Sequence, residues 1–402
     1  MKAAVLNIGT EVLIGHTINT NLTLIANMCA DYGILIQEQV TVPDSKMEIL
    51  GGFYHLFDKF DLVFVTGGLG PTEDDITSAS IAEALGKDLI LNEEILDGLE
   101  SYFKSRNFVM TSNNVKQAYF PKDSTIIHND YGTASGFYVN EDGKIVLVMP
   151  GPPLELASIL KNFLENYVPD SNLIIKTINT FGIGESSLES RLRHLNLDYR
   201  YDINTFIRGG GVDIKIITEV DDPIEMEKLL NTIRGEFAEY IYDEDSIFIA
   251  KSLLNVLVEK GATVAFAESC TGGRIAADFT ANPGASKSLI CSLVTYSEES
   301  KEIELGVKKT TLEKHTAVSH EVAKEMLDGI KNKYHTDYSG IVTGYASPPE
   351  GQEHLNGLVY IGVYDRKNDR EEIIKYEFRG SREQIIMRAT NNLFFKILSM
   401  TK

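Results

Sequence analysis

The chain has 402 residues, 43% of them hydrophobic, and 58 acidic against 38 basic side chains give it a net charge of −20. That length calls for two or three domains, because single cores stop growing near ~250–300 residues. The acidic balance argues against a nucleic-acid binder, which sets cations against phosphates, and no apolar run approaches the ~18 residues of a membrane span.

Cys29, Cys270 and Cys291 are odd in number, widely spaced and free of any C-x-x-C pair. They predict free thiols in a reducing, cytoplasmic setting rather than disulfides or a zinc site. The N-terminal MKAAVLNIGTEVL reads as a first buried strand, since its apolar run is short for a signal peptide and stops at Gly9.

Over residues 1–170, strand-like runs alternate with helical patterns. AAVLNIG (3–9) reads as a strand and NTNLTLIANMCADYG (19–33) as a helix closed by Gly33. LIQEQVTV (35–42) is a strand, KMEILGGFYHLFDKF (46–60) a helix and DLVFVTGG (61–68) a buried strand. DITSASIAEALG (75–86) is a helix, with Asp74 or Asp75 as N-cap and Gly86 as C-cap. KIVLVMPGPPLELASIL (144–160) is a strand, a Pro/Gly turn and a helix. This alternation predicts an α/β domain whose parallel sheet is covered on both faces. Ligands of such sheets sit beyond the strand carboxyl ends, which singles out the loops 9–11, 66–75 and 150–155.

Residues 171–245 change character. IIKTINTFGIG and VDIKIITEV alternate with period 2, Arg208-Gly209-Gly210-Gly211 makes a hairpin turn, and PIEMEKLLNTIRGEFAEYI (223–241) is an amphipathic helix. A small α+β domain is expected, ending at the acidic DEDS (243–246). Residues 246–402 form a third, α/β block. Helices are expected at 246–261, 271–281, 319–334 and 382–400, and strands at 262–269, 289–297, 338–347 and 358–365.

Two stretches carry chemistry. In TGGLGPTEDD (66–75), three glycines let the backbone approach a ligand and present N–H groups to an anion. Asp74 and Asp75 beside a phosphate make sense with a divalent metal between them, or they cap the helix that follows. In AFAESCTGG (265–273), Ser269 and Cys270 are rival nucleophiles at a strand end. A serine there leaves the N–H groups of Cys270, Thr271, Gly272 and Gly273 to hold an oxyanion. Cys270 reads either as an acidified thiol or as buried packing. Glu268 reads as a base or as a capping partner. His16, His315 and His320 read as surface residues, because none has a partner at ligand spacing. Lys301, inside EESKEIE, reads on its own as part of a solvated face.

IGTEVLIGHTINTN (8–21), TGGLGPTEDD (66–75) and MPGPPLEL (149–156) together resemble the competence/damage-inducible protein A family, CinA. Its first domain is similar to molybdopterin-binding proteins of the MogA/MoeA type. The resemblance implies a metal-dependent ADP-ribose pyrophosphatase, with Asp74 and Asp75 serving a divalent cation such as magnesium. It places Thr10, Glu11, Asn19, Thr66, Gly67, Gly68, Gly70 and Thr72 along the pocket, closed by Gly151, Pro152 and Glu155. His16 stands where the family often has Gln.

ATVAFAESCTGGRIA, with VTYSEESKEIELGV, TAVS and IVTG downstream, is similar to the family's C-terminal domain, which resembles nicotinamide mononucleotide (NMN) deamidases. The resemblance implies Ser269 as nucleophile, Lys301 as base and Tyr296 as proton relay or orienting group, with no cofactor. Gly344 joins Thr271, Gly272 and Gly273 in the loops around the site, and Arg382 and Arg388 are expected to hold the substrate phosphate. The family continues Gly-Ile-Ala-Gly-Pro-x-Gly-Gly after IVT, whereas this chain has Gly344-Tyr345-Ala346-Ser347-Pro348-Pro349-Glu350-Gly351. Pro349 has no N–H to donate and Glu350 adds negative charge beside a phosphate, so weaker NMN binding is expected. The expected partners are ADP-ribose, NMN and a second copy of the chain in a homodimer, with neither nucleic acid nor membrane. The alternatives are a pyrophosphatase with a degenerate C-terminal block, a non-catalytic competence or DNA-damage binding protein, and a molybdopterin-handling protein.

Overall fold

Lys2–Ile8 and Leu62–Thr66 are strands almost free of polar side chains because both of their faces are covered, and they pair in parallel at the centre of a sheet. They belong to a computed structural model that describes every residue except 169–172, 198–199, 220–221, 245, 247 and 348–349. The described residues divide into two compact units, Met1–Ile175 with Ile217–Asp221, and Lys176–Ile216 with Asp222–Lys402.

In the first unit the sheet order is Leu35–Val42, Lys2–Ile8, Leu62–Thr66, Lys144–Met149, Gly136–Glu141 and Thr125–Ile127. The first four strands are parallel, as expected, and the last two pairings are antiparallel. That edge reverses because Asp142 and Gly143 both adopt positive φ, 53° and 86°, the geometry of a two-residue hairpin turn. Ala3, Val5, Leu62 and Phe64 bury one face under the helices Asn21–Ala30 and Pro153–Tyr167. Ala4, Leu6, Val63 and Val65 bury the other under Lys46–Phe57 and Thr77–Ala84. Phe163 meets Phe64 edge to face, with ring centres 6.4 Å apart. Truncating such a buried ring to alanine costs about 3–5 kcal/mol.

The helix Thr77–Ala84 starts later than the sequence suggests. Its N-cap is Ile76, with no side-chain cap bond, so neither Asp74 nor Asp75 caps it. Both carboxylates turn back onto Thr72 instead. Gly86 ends the helix as expected, with φ 65° and with the Lys87 N–H reaching the Ala82 carbonyl.

The second unit begins with a sheet in the order Asp202–Arg208, Gly211–Thr218, Ile174–Phe181 and Ile241–Asp243. Gly209 and Gly210, at φ 50° and 100°, form the expected hairpin turn. Asp222 caps the helix Pro223–Phe237 by accepting from the N–H groups of Ile224 and Glu225. A five-stranded sheet follows, in the order Leu289–Val294, Val264–Glu268, Tyr338–Gly344, Leu358–Asp365 and Arg370–Glu377. Its first three strands are parallel and its last two pairings are antiparallel. Ile249–Glu259 and Arg382–Thr401 cover one face, where Phe266, Phe279 and Phe394 cluster. His320–Tyr334 covers the other with Val322, Met326 and Leu327.

Candidate active sites

The carboxyl ends of three parallel strands set the N-terminal site. Asn7 lies in register with Thr66, and Thr66 with Met149. The loops leaving these strands surround a cavity of about 600 Å³. Gly67 has φ 102°, and a Cβ there would fall 2.0 Å from the Ile8 carbonyl oxygen, so only glycine lets the two loops meet. Gly70 leaves room for the Asp75 carboxylate, which a Cβ would approach to 2.5 Å. That carboxylate accepts from the Thr72 N–H at 2.8 Å and from its hydroxyl at 2.6 Å. The same hydroxyl also meets Asp74. This bond, followed by Asp74's own backbone N–H, holds its carboxyl below the usual range and keeps it ionised.

Glu11, Asn19, Thr66, Gly67, Gly68 and Gly70 line the cavity, as do Asp74, Asp75, Gly151, Pro152 and Glu155. Thr10 is not in its wall. The Thr10 N–H and hydroxyl both donate to Asp44, at 2.8 and 2.9 Å. Thr72 acts behind the wall, through the two aspartates. Asn7, Asn21, Asp44 and Gln117 also line the cavity, and the sequence did not single them out. A 3-10 segment, Ser112–Ala118, straps the glycine loop. Asn113 donates to the Pro71 carbonyl at 3.1 Å, Lys116 to Asp75 at 3.0 Å, and Gln117 to Leu69 at 3.2 Å. Such a strap has no periodicity by which a sequence reveals it.

Among the described residues, no group of three or more His, Cys, Asp or Glu side chains is arranged to hold a metal ion. An all-protein metal cage therefore does not fit. A magnesium-type ion does, since it takes one or two carboxylates and completes its shell with phosphate and water. His16 is exposed and outside the cavity wall, as a surface residue would be.

At the second site, the strand Val264–Glu268 delivers Ser269 to a turn built on Glu268. The Glu268 side chain is fully buried and accepts four hydrogen bonds. The N–H groups of Gly273 and Ile275 donate to Oε2 at 2.9 and 3.0 Å, and the Ala276 N–H and Ser292 hydroxyl to Oε1 at 2.9 and 3.0 Å. With its lone pairs occupied, Glu268 is the capping partner and not a base. Gly272 and Gly273, at φ 60° and 98°, make the turn. The Gly272 N–H donates to the Ser269 carbonyl and the Gly273 N–H to Glu268. Neither can serve an oxyanion as expected, which leaves the N–H groups of Cys270 and Thr271.

Lys301 is 1% exposed. Its Nζ lies 3.0 Å from Ser269 Oγ, 2.7 Å from the Thr295 carbonyl and 3.4 Å from the Tyr296 carbonyl. Burial pushes its pKa down to about 8. A neutral amine has two hydrogens and one lone pair. Protonated, Nζ donates to Ser269 Oγ as well as to the two carbonyls; once neutral, with its hydrogens on the carbonyls, its lone pair faces the Ser269 hydroxyl. The solvated-face reading of EESKEIE fails at this one position. In the helix Glu298–Leu305, Lys301 turns inward with Leu305, four residues on, while Glu298 and Glu299 stay exposed.

Cys270 is buried, and desolvation pushes its thiol up to about 12, so it stays protonated, whereas the Ser269 hydroxyl is the group that Lys301 Nζ touches. The Tyr296 ring is exposed, and Arg382 Nη2 donates to its hydroxyl at 3.4 Å. Arg382 lines an open cleft of about 550 Å³ with Thr271, Gly272 and Gly273. Arg388 is not in that wall, because its guanidinium is bound to the Arg379 carbonyl. Gly344 ends a strand and not a loop: a Cβ there would meet Val359 at 2.6 Å, so close packing explains the glycine. His315 pairs with Glu321 at 3.4 Å, and His320 is exposed at a helix start. Ser347 and Glu350 are exposed, and Pro348 and Pro349 lie outside the described residues.

Three family models tile the chain. Residues 4–170 match a probable molybdopterin binding domain, residues 175–242 the damage-inducible protein CinA KH domain, and residues 247–401 the CinA C-terminal domain. A putative competence-damage inducible protein of Clostridioides difficile (strain 630) is 36% identical over 409 residues, covering 98% of this chain and 97% of its own. One from Caldicellulosiruptor saccharolyticus is 37% identical over 412 residues, covering 100% and 99%. The crystal structure of CinA from Thermoplasma acidophilum is 32% identical, covers 42% of this chain and 100% of its own, and gives a TM-score of 0.40. This chain belongs to the CinA family of competence-damage inducible proteins.

Proposed function

We propose that the protein is a hydrolase of pyridine-nucleotide salvage with two activities, an NMN amidase at Ser269 and a metal-dependent ADP-ribose pyrophosphatase in the N-terminal cavity. The observation that carries the reading is the 3.0 Å contact between Ser269 Oγ and the buried Nζ of Lys301.

In the amidase, Ser269 Oγ gives its proton to the Lys301 lone pair and bonds to the carboxamide carbon. The carbonyl oxygen takes up negative charge against the N–H groups of Cys270 and Thr271. The proton on Lys301 passes to the amide nitrogen, the C–N bond breaks, and ammonia departs, leaving the mononucleotide bound to Ser269 as an ester of its nicotinoyl carbonyl. Water repeats the sequence. It gives one proton to Lys301 and attacks the ester, and that proton returns to Ser269 Oγ as nicotinate mononucleotide departs. Arg382 offers a planar cation to the phosphate at the cleft.

In the N-terminal cavity, Asp74 and Asp75 would hold a divalent cation, which would supply neutralisation of the pyrophosphate charge and activation of water. Thr72 keeps Asp74 ionised and hydrogen-bonds Asp75, and Lys116 fixes the loop that carries them. The products are AMP and ribose 5-phosphate.

Mass spectrometry of protein quenched during NMN turnover tests the carrying observation. The mass of NMN less ammonia, added to the Ser269 peptide, is expected. Ammonia release with no such adduct, and with turnover intact in Ser269→Ala, would overturn it.

A further inference from the structure

Two residues that line the N-terminal cavity each carry a buried polar atom with nothing to bond. Asn7 is 4% exposed, and its Nδ2 donor has no acceptor. Asn21 opens the helix Asn21–Ala30, and its Oδ1 acceptor has no donor. The other half of the Asn21 amide is committed, to the Gly151 carbonyl at 2.8 Å and the Thr66 hydroxyl at 3.3 Å. Thr66 is in turn the register partner of Asn7 on the adjacent strand. Its side chain therefore shares a sheet face with that of Asn7, so the three residues form one continuous group at the strand ends. Asn7 and Asn21 both line the cavity.

Buried amides left half-bonded are rare, and each unpaired group is costly unless something else completes it. Thr66 donates to the Pro150 carbonyl at 3.1 Å, and Asn21 fixes Gly151. What remains is one donor and one acceptor, each on a residue that lines the same cavity. A single hydroxyl matches both, since it accepts from Asn7 and donates to Asn21. A bare phosphate oxygen or a carboxylate matches only Asn7.

We propose that Asn7 and Asn21 recognise a sugar hydroxyl of the ligand, so that the N-terminal cavity selects ribosyl over deoxyribosyl nucleotides. The proposal rests on reading this cavity as a nucleotide site. Discrimination arises because a ligand lacking the hydroxyl buries both amide groups unpaired, the situation in which sites reject analogues most strongly.

The test is calorimetric titration of the full chain with AMP, 2′-deoxy-AMP, 3′-deoxy-AMP, ribose 5-phosphate and 2-deoxyribose 5-phosphate, with magnesium present. The expected result is binding at least about tenfold tighter for the ribosyl compound of one matched pair, a ratio that falls near one in Asn7→Leu. Leucine keeps the shape and removes the orphan donor, so this variant should also melt about 3 °C higher without ligand. That pairing of a stabilised fold with lost selectivity is one that a purely structural asparagine would not give. Asn7→Asp, which keeps the size and loses the donor, should likewise lose the ratio. Equal binding of ribosyl and deoxyribosyl compounds by the unaltered protein would overturn this inference alone, and would mark the pair as a water site only. Failure to bind any of the five would overturn the nucleotide reading of the cavity with it.

Discussion

Ser269 should react with a fluorophosphonate at a rate that follows the deprotonation of Lys301, whatever the natural substrate is. Burial lowers the Lys301 pKa from 10.5 to about 8, and the lone pair faces the hydroxyl only in the neutral form. With a pKa near 8, roughly 1% of the lysine is neutral at pH 6, about 9% at pH 7 and about half at pH 8. The labelling rate constant should therefore rise about tenfold from pH 6 to 7 and about fivefold from 7 to 8, and level off above about 9. Lys301→Met should lower the plateau by about 10²–10⁴, the usual worth of a positioned base. Peptide mapping should place the label on Ser269 Oγ and none on the Cys270 sulfur, whose thiol is held protonated by burial. A flat rate between pH 6 and 9, or label on Cys270, would refute the assignment of base and nucleophile.

Four further outcomes follow from the same geometry. The folded-state pKa of Lys301 is depressed, so burying its ammonium destabilises the fold below about pH 8 and the effect fades as pH rises towards 10.5. Urea unfolding of Lys301→Met beside the unaltered protein should show the variant's relative stability falling by about 2–3 kcal/mol between pH 7 and pH 10, and a pH-independent difference would sink this reasoning. Glu268→Gln brings an NH₂ into a ring of four donors and leaves at least one N–H without an acceptor; chemical denaturation should register a loss of about 2–4 kcal/mol, and a loss below 0.5 kcal/mol, by the same principle, would contradict the capping role. Gly67→Ala drives a Cβ towards the Ile8 carbonyl and should abolish AMP release from ADP-ribose while ammonia release from NMN by the same preparation persists. Treatment with EDTA should stop ADP-ribose cleavage and spare NMN, and equal sensitivity of both activities would argue against a metal confined to the N-terminal cavity.

The strands were legible where burial on both faces makes the sequence uniformly apolar, as in Lys2–Ile8, Leu62–Thr66 and Val264–Glu268. Those strands place the site loops, so the position of both sites followed. Less visible were the three-residue strands Leu89–Leu91, Tyr119–Pro121 and Thr125–Ile127, which are too short to display a period. The antiparallel edge was announced by Asp142-Gly143, a hairpin signal that went unread. Within the sites, side-chain direction was the missing knowledge. Lys301 sits among glutamates in the sequence, and only its i,i+4 relation to Leu305 hints that it points inward. Asp74 and Asp75 look like helix caps in the sequence, which carries no sign that Thr72 bends both carboxylates back. Gly272 and Gly273 lost their expected oxyanion role to bonds within the turn itself. The Ser112–Ala118 strap bears on the site through partners more than forty residues away in the chain, which local patterning does not encode.

Ammonia release from NMN by the purified chain, measured beside Ser269→Ala at pH 8, tests the central claim most directly. The account predicts turnover in the unaltered protein that the substitution abolishes, which would also show that Ser347 and Glu350 are tolerated beside the substrate. Absence of ammonia from a preparation that still releases AMP from ADP-ribose would contradict it, and would leave the buried Ser269–Lys301 pair without the substrate assigned to it.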